Sequence, residues 1–319
     1  MRVMFLAAMF IFVVALPVFG DSNFDAWVKE FRAEAIEQGI SSSLIDQAFE
    51  GVVPIPRVLE LDRKQPESRM TFGEYRKSIV SQKRIQRGRG MMAQHRDLLN
   101  KIGQQYGVQP RFIVALWGIE TNYGQNSGGY RIIDALATLA FDGRRSQYFR
   151  TELLNAFRIL QGGHTSLDTM KSSWAGAMGQ CQFMPSSFLQ LAVDFDGDGR
   201  KDIWNTPADV FASAANYLVQ SGWRGTHIWG RRAQLPAGFD SKQASLKISK
   251  PLQVWQKIGI RKRDGSDLPL APLNASIVLP DGKGGPAYLV YHNYRVIMKW
   301  NRSTYFATSV GLLADALAD

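Results

Sequence analysis

The stretch Gln109-Pro110-Arg111-Phe112-Ile113-Val114-Ala115-Leu116-Trp117-Gly118-Ile119-Glu120-Thr121 decides how this chain reads. Gln109-Pro110 marks a helix start, with proline near the first helical position where its missing N–H is no loss. A helix from there places Ile113, Leu116, Trp117 and Glu120 on one face, at spacings of three and four. That face is otherwise apolar and carries the carboxyl toward a buried or cleft-lining position. Gly124 stands where it would end the helix, close behind Glu120. Burial disfavours a charged carboxylate and raises its pKa. An acid still protonated near neutral pH can hand a proton to a leaving group. A lone Glu at a helix end turns to solvent as readily, so the reading rests on the rest of the chain.

The 319 residues suffice for one large or two ordinary domains, and a hydrophobic content of 45% allows a sizeable core. The net charge of +10 favours an anionic partner: nucleic acid, an acidic membrane surface or an acidic polymer. Its densest stretch, Arg76 to Arg96, interleaves with Ile79, Val80 and Ile85 and reads as a solvated helix face. No homeodomain, zinc-finger or RNP-like pattern supports nucleic acid. Residues 1–20 read as a signal peptide: Arg2, an apolar run from Val3 to Leu16, then Pro17 and Val18-Phe19-Gly20 before Asp21. The run is short for a spanning helix, so the expectation is an exported, soluble periplasmic protein with no stable membrane span. Cys181 is the only cysteine, which leaves no internal disulfide and no lipid-attachment cysteine at the signal exit. The four histidines are scattered with no HExxH, against a zinc site.

Phe24, Trp27, Val28, Phe31 and Ala35 form one helical face ended by Gly39, and Ser42 or Ser43 is placed to cap a second helix. Val52 to Pro66 holds three of the thirteen prolines and reads as extended linker. Helical patterns run from about Gly73 to Gly222. Tyr75 falls either near a groove or in the core. After Trp223 the character changes. Leu246-Lys247-Ile248-Ser249 alternates like a strand. Ser276 to Leu279 and Ala287 to Tyr291 flank a Gly-rich turn and predict a β-hairpin. Val296 to Leu317 returns to helical periodicity.

Two further segments carry chemistry. Ser172 to Ser187 is rich in small residues that permit close backbone approach, with Ser173, Gln180 and Gln182 placed to hydrogen-bond a ligand. Asp194, Asp196 and Asp198, followed by Gly199, match positions one, three, five and six of an EF-hand loop, with Arg200 offering its carbonyl. Position twelve is Asn205 in place of Glu, so Asp209 or Asp202 must close the Ca²⁺ shell.

Together these pieces resemble the lytic murein transglycosylases of the membrane-bound lytic transglycosylase B type, glycoside hydrolase family 103. The resemblance covers most of the mature chain. It is strongest in Gly118-Ile119-Glu120-Thr121, Asp134 to Leu139, Ala175 to Gly179, Gln182 to Ser187, and the aspartate loop followed by Ala215-Asn216-Tyr217. It implies a mainly α (α+β) protein with a lysozyme-like core, in which Glu120 is the single catalytic acid/base. Arg144 and Arg145 match a paired arginine near the cleft. Ser173, Gln182, Tyr217 and Asn301 match its sugar-binding groove, and Asp209 matches the last calcium carboxylate. Trp300 stands where many relatives have tyrosine, and Phe306 replaces another beside Tyr305; aromatic stacking on sugar can survive both changes without the hydroxyls, and Trp300 reads equally as a core residue of the helical run Val296, Met298 and Lys299. The expected organisation is an N-terminal helical region (21–99), a catalytic core with its calcium loop (100–223), and a small β region with a C-terminal helix (224–319).

The chemistry agrees with that resemblance. Most glycosidases use two carboxyl groups. Asp134, which reads as a helix N-cap, and Asp142 are the remaining candidates, and neither lies on an apolar helical face. With one carboxyl, the acetamido group of N-acetylmuramic acid can act as internal nucleophile. The resemblance implies closure of a 1,6-anhydro ring on peptidoglycan strands. A lysozyme-like hydrolase and a non-catalytic, calcium-stabilised wall-binding protein are the rivals.

Overall fold

The computed structural model describes residues 21–63 and 70–318, so the expected signal peptide lies outside the described residues. The helices α1 (Asp21–Glu37), α2 (Ser42–Phe49), α3 (Pro56–Arg63), α4 (Phe72–Ile79), α5 (Gln82–Gln94), α6 (Arg96–Tyr106) and α7 (Pro110–Thr121) come first. A ribbon of β1 (Tyr130–Arg131) and β2 (Lys171–Ser172) brackets α8 (Ile132–Phe141) and α9 (Ser146–Gln161). α10 (Pro185–Leu191) and α11 (Pro207–Gln220) complete the helical part. There follow β3 (Gly230–Gln234), β4 (Lys250–Pro251), α12 (Leu252–Lys257), β5 (Arg261–Lys262), β6 (Asn274–Val278) and β7 (Ala287–Val290). The chain closes with α13 (His292–Trp300) and α14 (Thr304–Ala318).

Every residue of α7 from Phe112 to Gly118 is buried, which is why its sequence is apolar on all sides. It packs against α5, α6, α11 and α14, so helices distant in the chain enclose it. One hydrophobic core runs from Phe24 on α1 to Leu317 on α14. A second, smaller core of Trp255, Ile260, Ile277, Leu289 and Tyr291 fills the β region. Its sheet is antiparallel, in the order β4-β6-β7-β3-β5. The expected hairpin is present as β6 and β7, with Ile277 opposite Leu289.

Several local expectations give way. The segment read as linker contains α3, because Pro56 sits in the first turn, where proline is tolerated, and Val58 reaches the core. Leu246 to Ser249 forms a turn, with the Ile248 N–H on the Ser245 carbonyl; strand pairing begins only at Lys250, opposite Ala275. α2 takes Ser41 as its cap position without a side-chain cap bond, since the Ser41 hydroxyl is engaged with that of Ser43. The C-terminal helical run breaks after Trp300 and resumes at Thr304. That break positions the site.

Candidate active site

Glu120 lies in the last turn of α7, which ends at Thr121 and not at Gly124. Asn122 (φ 51), Tyr123 (φ 60) and Gly124 (φ 79) are all left-handed and reverse the chain directly behind the acid. The two non-glycine residues cost on the order of 1–2 kcal/mol each, so surrounding contacts must hold them. The Tyr123 ring folds back over Gly118, where a Cβ would stand 2.6 Å from it. The Tyr123 hydroxyl donates to the Arg84 carbonyl at 2.8 Å, and the Thr121 hydroxyl oxygen accepts the Gly124 N–H at 3.0 Å.

A second wall comes from residues 178–183, closed by reciprocal backbone bonds between Met178 and Phe183. Gly179 (φ 59) meets Ile203 so closely that a Cβ would lie 2.6 Å from the Ile203 carbonyl oxygen. Gln180 is spent internally: it accepts from Trp117 Nε1 and donates to the Trp204 carbonyl, both at 2.7 Å. Gln182 (φ 51) donates to the carbonyls of Gly179 and Ser127, at 2.9 and 3.2 Å. The Ser173 hydroxyl accepts the N–H groups of Ala175 and Ala177, shaping the Gly/Ala turn.

The third wall is the end of α13. Trp300 Nε1 donates to Glu120 Oε1 at 2.7 Å. Its ring lies 4.6 Å from that of Tyr217 and 5.4 Å from that of Phe183. The Tyr217 hydroxyl donates to the Lys299 carbonyl, and Asn301 Oδ1 accepts the Ser303 N–H in the helix break. Tyr75 is half-buried on α4, 5.7 Å from Tyr305. The structure thus gathers Glu120, Trp300 and Tyr217, with Phe183 as an aromatic member the sequence did not single out, while the Gln182 and Asn301 side chains are bonded to nearby backbone.

Arg144 and Arg145 are engaged elsewhere. Arg144 Nε reaches Asp62 Oδ2 at 2.7 Å, and Arg145 bonds the other carboxylate oxygen. Asp62 is buried on α3, inside the stretch read as linker. Burial pushes its carboxyl upward, but the two guanidiniums outweigh this and hold it below its ordinary value.

Burial also acts on Glu120, which it pushes up to about 7 against the opposing pull of the Trp300 N–H. The Glu120 residue as a whole is only partly buried. The Cys181 thiol is pushed far up by burial, then by Glu120 and Asp209 nearby, and its Sγ faces the Val210 carbonyl at 3.2 Å. Asp134 sits within the first turn of α8, while Arg131 takes the cap position. Burial raises its carboxyl, and Arg131 approaches at 3.6 Å. Asp142 pairs with Arg63 at 2.7 Å. Among the described residues, neither shares a hydrogen bond with Glu120.

In the aspartate loop, carboxylate oxygens of Asp194, Asp196 and Asp209 lie within 4.8 Å of one another, a spacing that suits one metal ion. Asp194 accepts the N–H groups of Gly197 and Gly199, which curl the loop. Asp209 accepts from Phe195 and Asp202, both at 2.7 Å. Burial raises its carboxyl to about 6, and Asp196 and Asp194 add to the rise. Asp198 stands outside this cluster and accepts the Arg200 N–H, while Asp202 caps its own turn at Trp204 and Asn205.

A profile of the transglycosylase SLT domain matches residues 23–315. The chain belongs to this family. The membrane-bound lytic murein transglycosylase B of Escherichia coli K12 is 36% identical over 252 residues, covering 76% of this chain and 66% of that protein. The match therefore spans just under two thirds of the length of that relative. SltB3 from Pseudomonas aeruginosa in complex with NAG-anhNAM-pentapeptide superimposes with a TM-score of 0.91 at 45% identity, covering 93% of this chain and 80% of that one. The Escherichia coli lytic transglycosylase Slt35 in complex with calcium gives 0.79 at 31% identity, over 93% of each chain. Among the described residues of this SLT-family chain, no helix is long and apolar enough to cross a membrane.

Proposed function

We propose that this chain is a peptidoglycan lytic transglycosylase that cleaves the β-1,4 bond between N-acetylmuramic acid and N-acetylglucosamine and leaves a 1,6-anhydro-N-acetylmuramyl end. One observation carries the reading: a single carboxyl group raised to about 7 and walled by Trp300, Tyr217 and Phe183. A carboxyl lifted to about 7 keeps a protonated population near neutral pH, so Glu120 can protonate the glycosidic oxygen as the C1–O bond breaks. The substrate's acetamido oxygen attacks C1 as internal nucleophile. The resulting carboxylate takes the proton of the muramyl C6 hydroxyl, whose oxygen closes on C1 and releases the acetamido group. No water enters the balance. The SltB3 complex with an anhydro-muramyl ligand supports this product type.

In this reading Gln182, Ser173, Tyr217, Asn301, Trp300 and Tyr75 line the glycan groove. Arg144 and Arg145 stay about half exposed beside Asp62, with side-chain exposures of 49% and 46%, and suit the anionic parts of the strand. The cluster of Asp194, Asp196 and Asp209 fits Ca²⁺ in its all-oxygen donor set, and Asp198, outside that cluster, and the Arg200 carbonyl are the loop's further candidate ligands. Calcium there holds the loop, which carries Ile203 against Gly179 and Trp204 against Gln180. The regions 21–99, 100–223 and 224–319 surround one groove. The protein acts in the periplasm, exported by residues 1–20, and N-terminal sequencing of the exported form beginning near Asp21 checks this.

Mass spectrometry of the products from purified sacculi tests the reaction. Anhydro ends are lighter by one water than hydrolysed ends. Hydrolysed ends alone would make the chain a hydrolase, and intact sacculi would make it a wall-binding protein.

A further inference from the structure

We infer that Trp300 is a positioning residue for the acid/base: its indole N–H pins Oε1 of Glu120, so that Oε2 carries the proton both to and from the substrate. The inference deepens the transglycosylase reading and rests on it for the reaction it serves. The bond measures 2.7 Å, at the short end expected for a charge-assisted N–H···O contact.

An indole N–H donates and never accepts. Were the proton of neutral Glu120 on Oε1, the indole would face a hydroxyl oxygen, a poorer acceptor than the carbonyl oxygen of a carboxylic acid. The neutral acid therefore keeps Oε1 as its carbonyl and holds its proton on Oε2. After ionisation the N–H stays on Oε1 and is strengthened by the charge, and the next proton returns to Oε2. With Oε1 held by the indole, Oε2 is the oxygen left to give the proton and to take one back.

The indole is held where this works. Its ring packs on Tyr217 and Phe183, and the Tyr217 hydroxyl grips the carbonyl of Lys299, the preceding residue. The other titratable groups around Glu120 are occupied. His95 lies edge-on to Trp117 at 6.0 Å, and burial lowers it. Arg84 and Arg87 attend Tyr123 on α5, and the Lys299 ammonium bonds the Ser221 carbonyl. Asp315 on α14 pairs with Arg111 at the far end of α7. The thiol of Cys181 and the phenol of Tyr217 are both raised by burial and stay neutral. What moves Glu120 is burial, upward, and the Trp300 N–H, downward.

The test follows the Glu120 carboxyl by carbon NMR across pH in the full chain, with kcat and KM measured on purified glycan strands. In the unmutated chain the Trp300 indole proton resonance should follow the same titration, with a midpoint of about 7. Trp300→Phe keeps a ring and removes the donor. Glu120 should then titrate about one pH unit higher, with the alkaline limb of kcat moving alongside. Below that limb kcat should fall about tenfold with KM nearly unchanged. Trp300→Tyr restores a donor and should bring the titration back toward the original. An indole resonance indifferent to the titration, an unmoved carboxyl in Trp300→Phe, or equal displacement in the Phe and Tyr variants overturns the assignment. Hydrolysed products from the unmutated chain would defeat the transglycosylase reading, while the NMR titration would still decide Trp300.

Discussion

Glu120 and Asp209 are two carboxyl groups lifted by burial, one to about 7 and the other to about 6, and they meet that burial differently. Glu120 receives one side-chain N–H, is only partly buried as a residue and has no carboxylate hydrogen-bonded to it among the described residues. Asp209 is closed from solvent, accepts two backbone N–H groups and faces Asp194 and Asp196. The first arrangement suits a proton that must come and go. The second suits a cation that stays, because like charges at this spacing repel until a metal neutralises them. A third buried carboxyl, Asp62, is neutralised by Arg144 and Arg145 and shifted downward instead.

The largest effect should come from Glu120→Gln. The amide cannot give and retake a proton, so release of soluble muropeptides should fall by roughly a thousandfold or more, while calcium still raises the melting temperature. Near-normal release would break the comparison by removing the proton role from Glu120.

The same variant sharpens it through stability. Both raised carboxyls make the folded state prefer the protonated form. Their contribution is therefore present in full below pH about 4 and is lost as pH rises to about 6 for Asp209 and about 7 for Glu120. A lift from 4.5 to about 7 corresponds to about 3 kcal/mol. Glu120→Gln should then be more stable than the parent by up to that amount at pH 8 and no more stable at pH 4. Denaturant unfolding at the two pH values measures it, and equal differences at both would remove burial as the cause.

Calcium should oppose this loss at Asp209, because the metal requires the ionised form. At a hundredfold excess over its Kd the ion should add about 2.7 kcal/mol, which is several degrees of melting temperature. The gain should grow as pH rises through about 6, where Asp209 ionises. Asp209→Asn should abolish the gain. A melting curve unchanged by chelator in the parent would sink the calcium assignment.

The smallest effect is expected at Asp62. Its arginine partners are about half exposed, so solvent screens the pairs and Asp62→Asn should cost about 1–2 kcal/mol. The lowered carboxyl contributes above its unfolded value near 4 and loses that contribution in acid, so the cost should be visible at pH 7 and shrink as pH falls below that value. Equal stability of the variant and parent at pH 7 would mean that the two pairs add no net stability.

Features that depend on neighbours a few residues apart could be read from the sequence alone. The apolar face ending in Glu120, the aspartate loop and the β6–β7 hairpin all follow from periods of about 3.6 and 2 or from a fixed loop spacing. Its local errors were also local: α3 was hidden by prolines, and the alternation from Leu246 to Ser249 had no strand to pair with. What faces the acid depends on how distant parts of the chain pack together. Trp300 stands 180 positions from Glu120, and Arg144 stands 82 from Asp62. No periodicity reports such separations. The pKa of Glu120 likewise depends on how α5, α6, α11 and α14 close around α7, since desolvation is a property of the packed interior and not of the helix that bears the group.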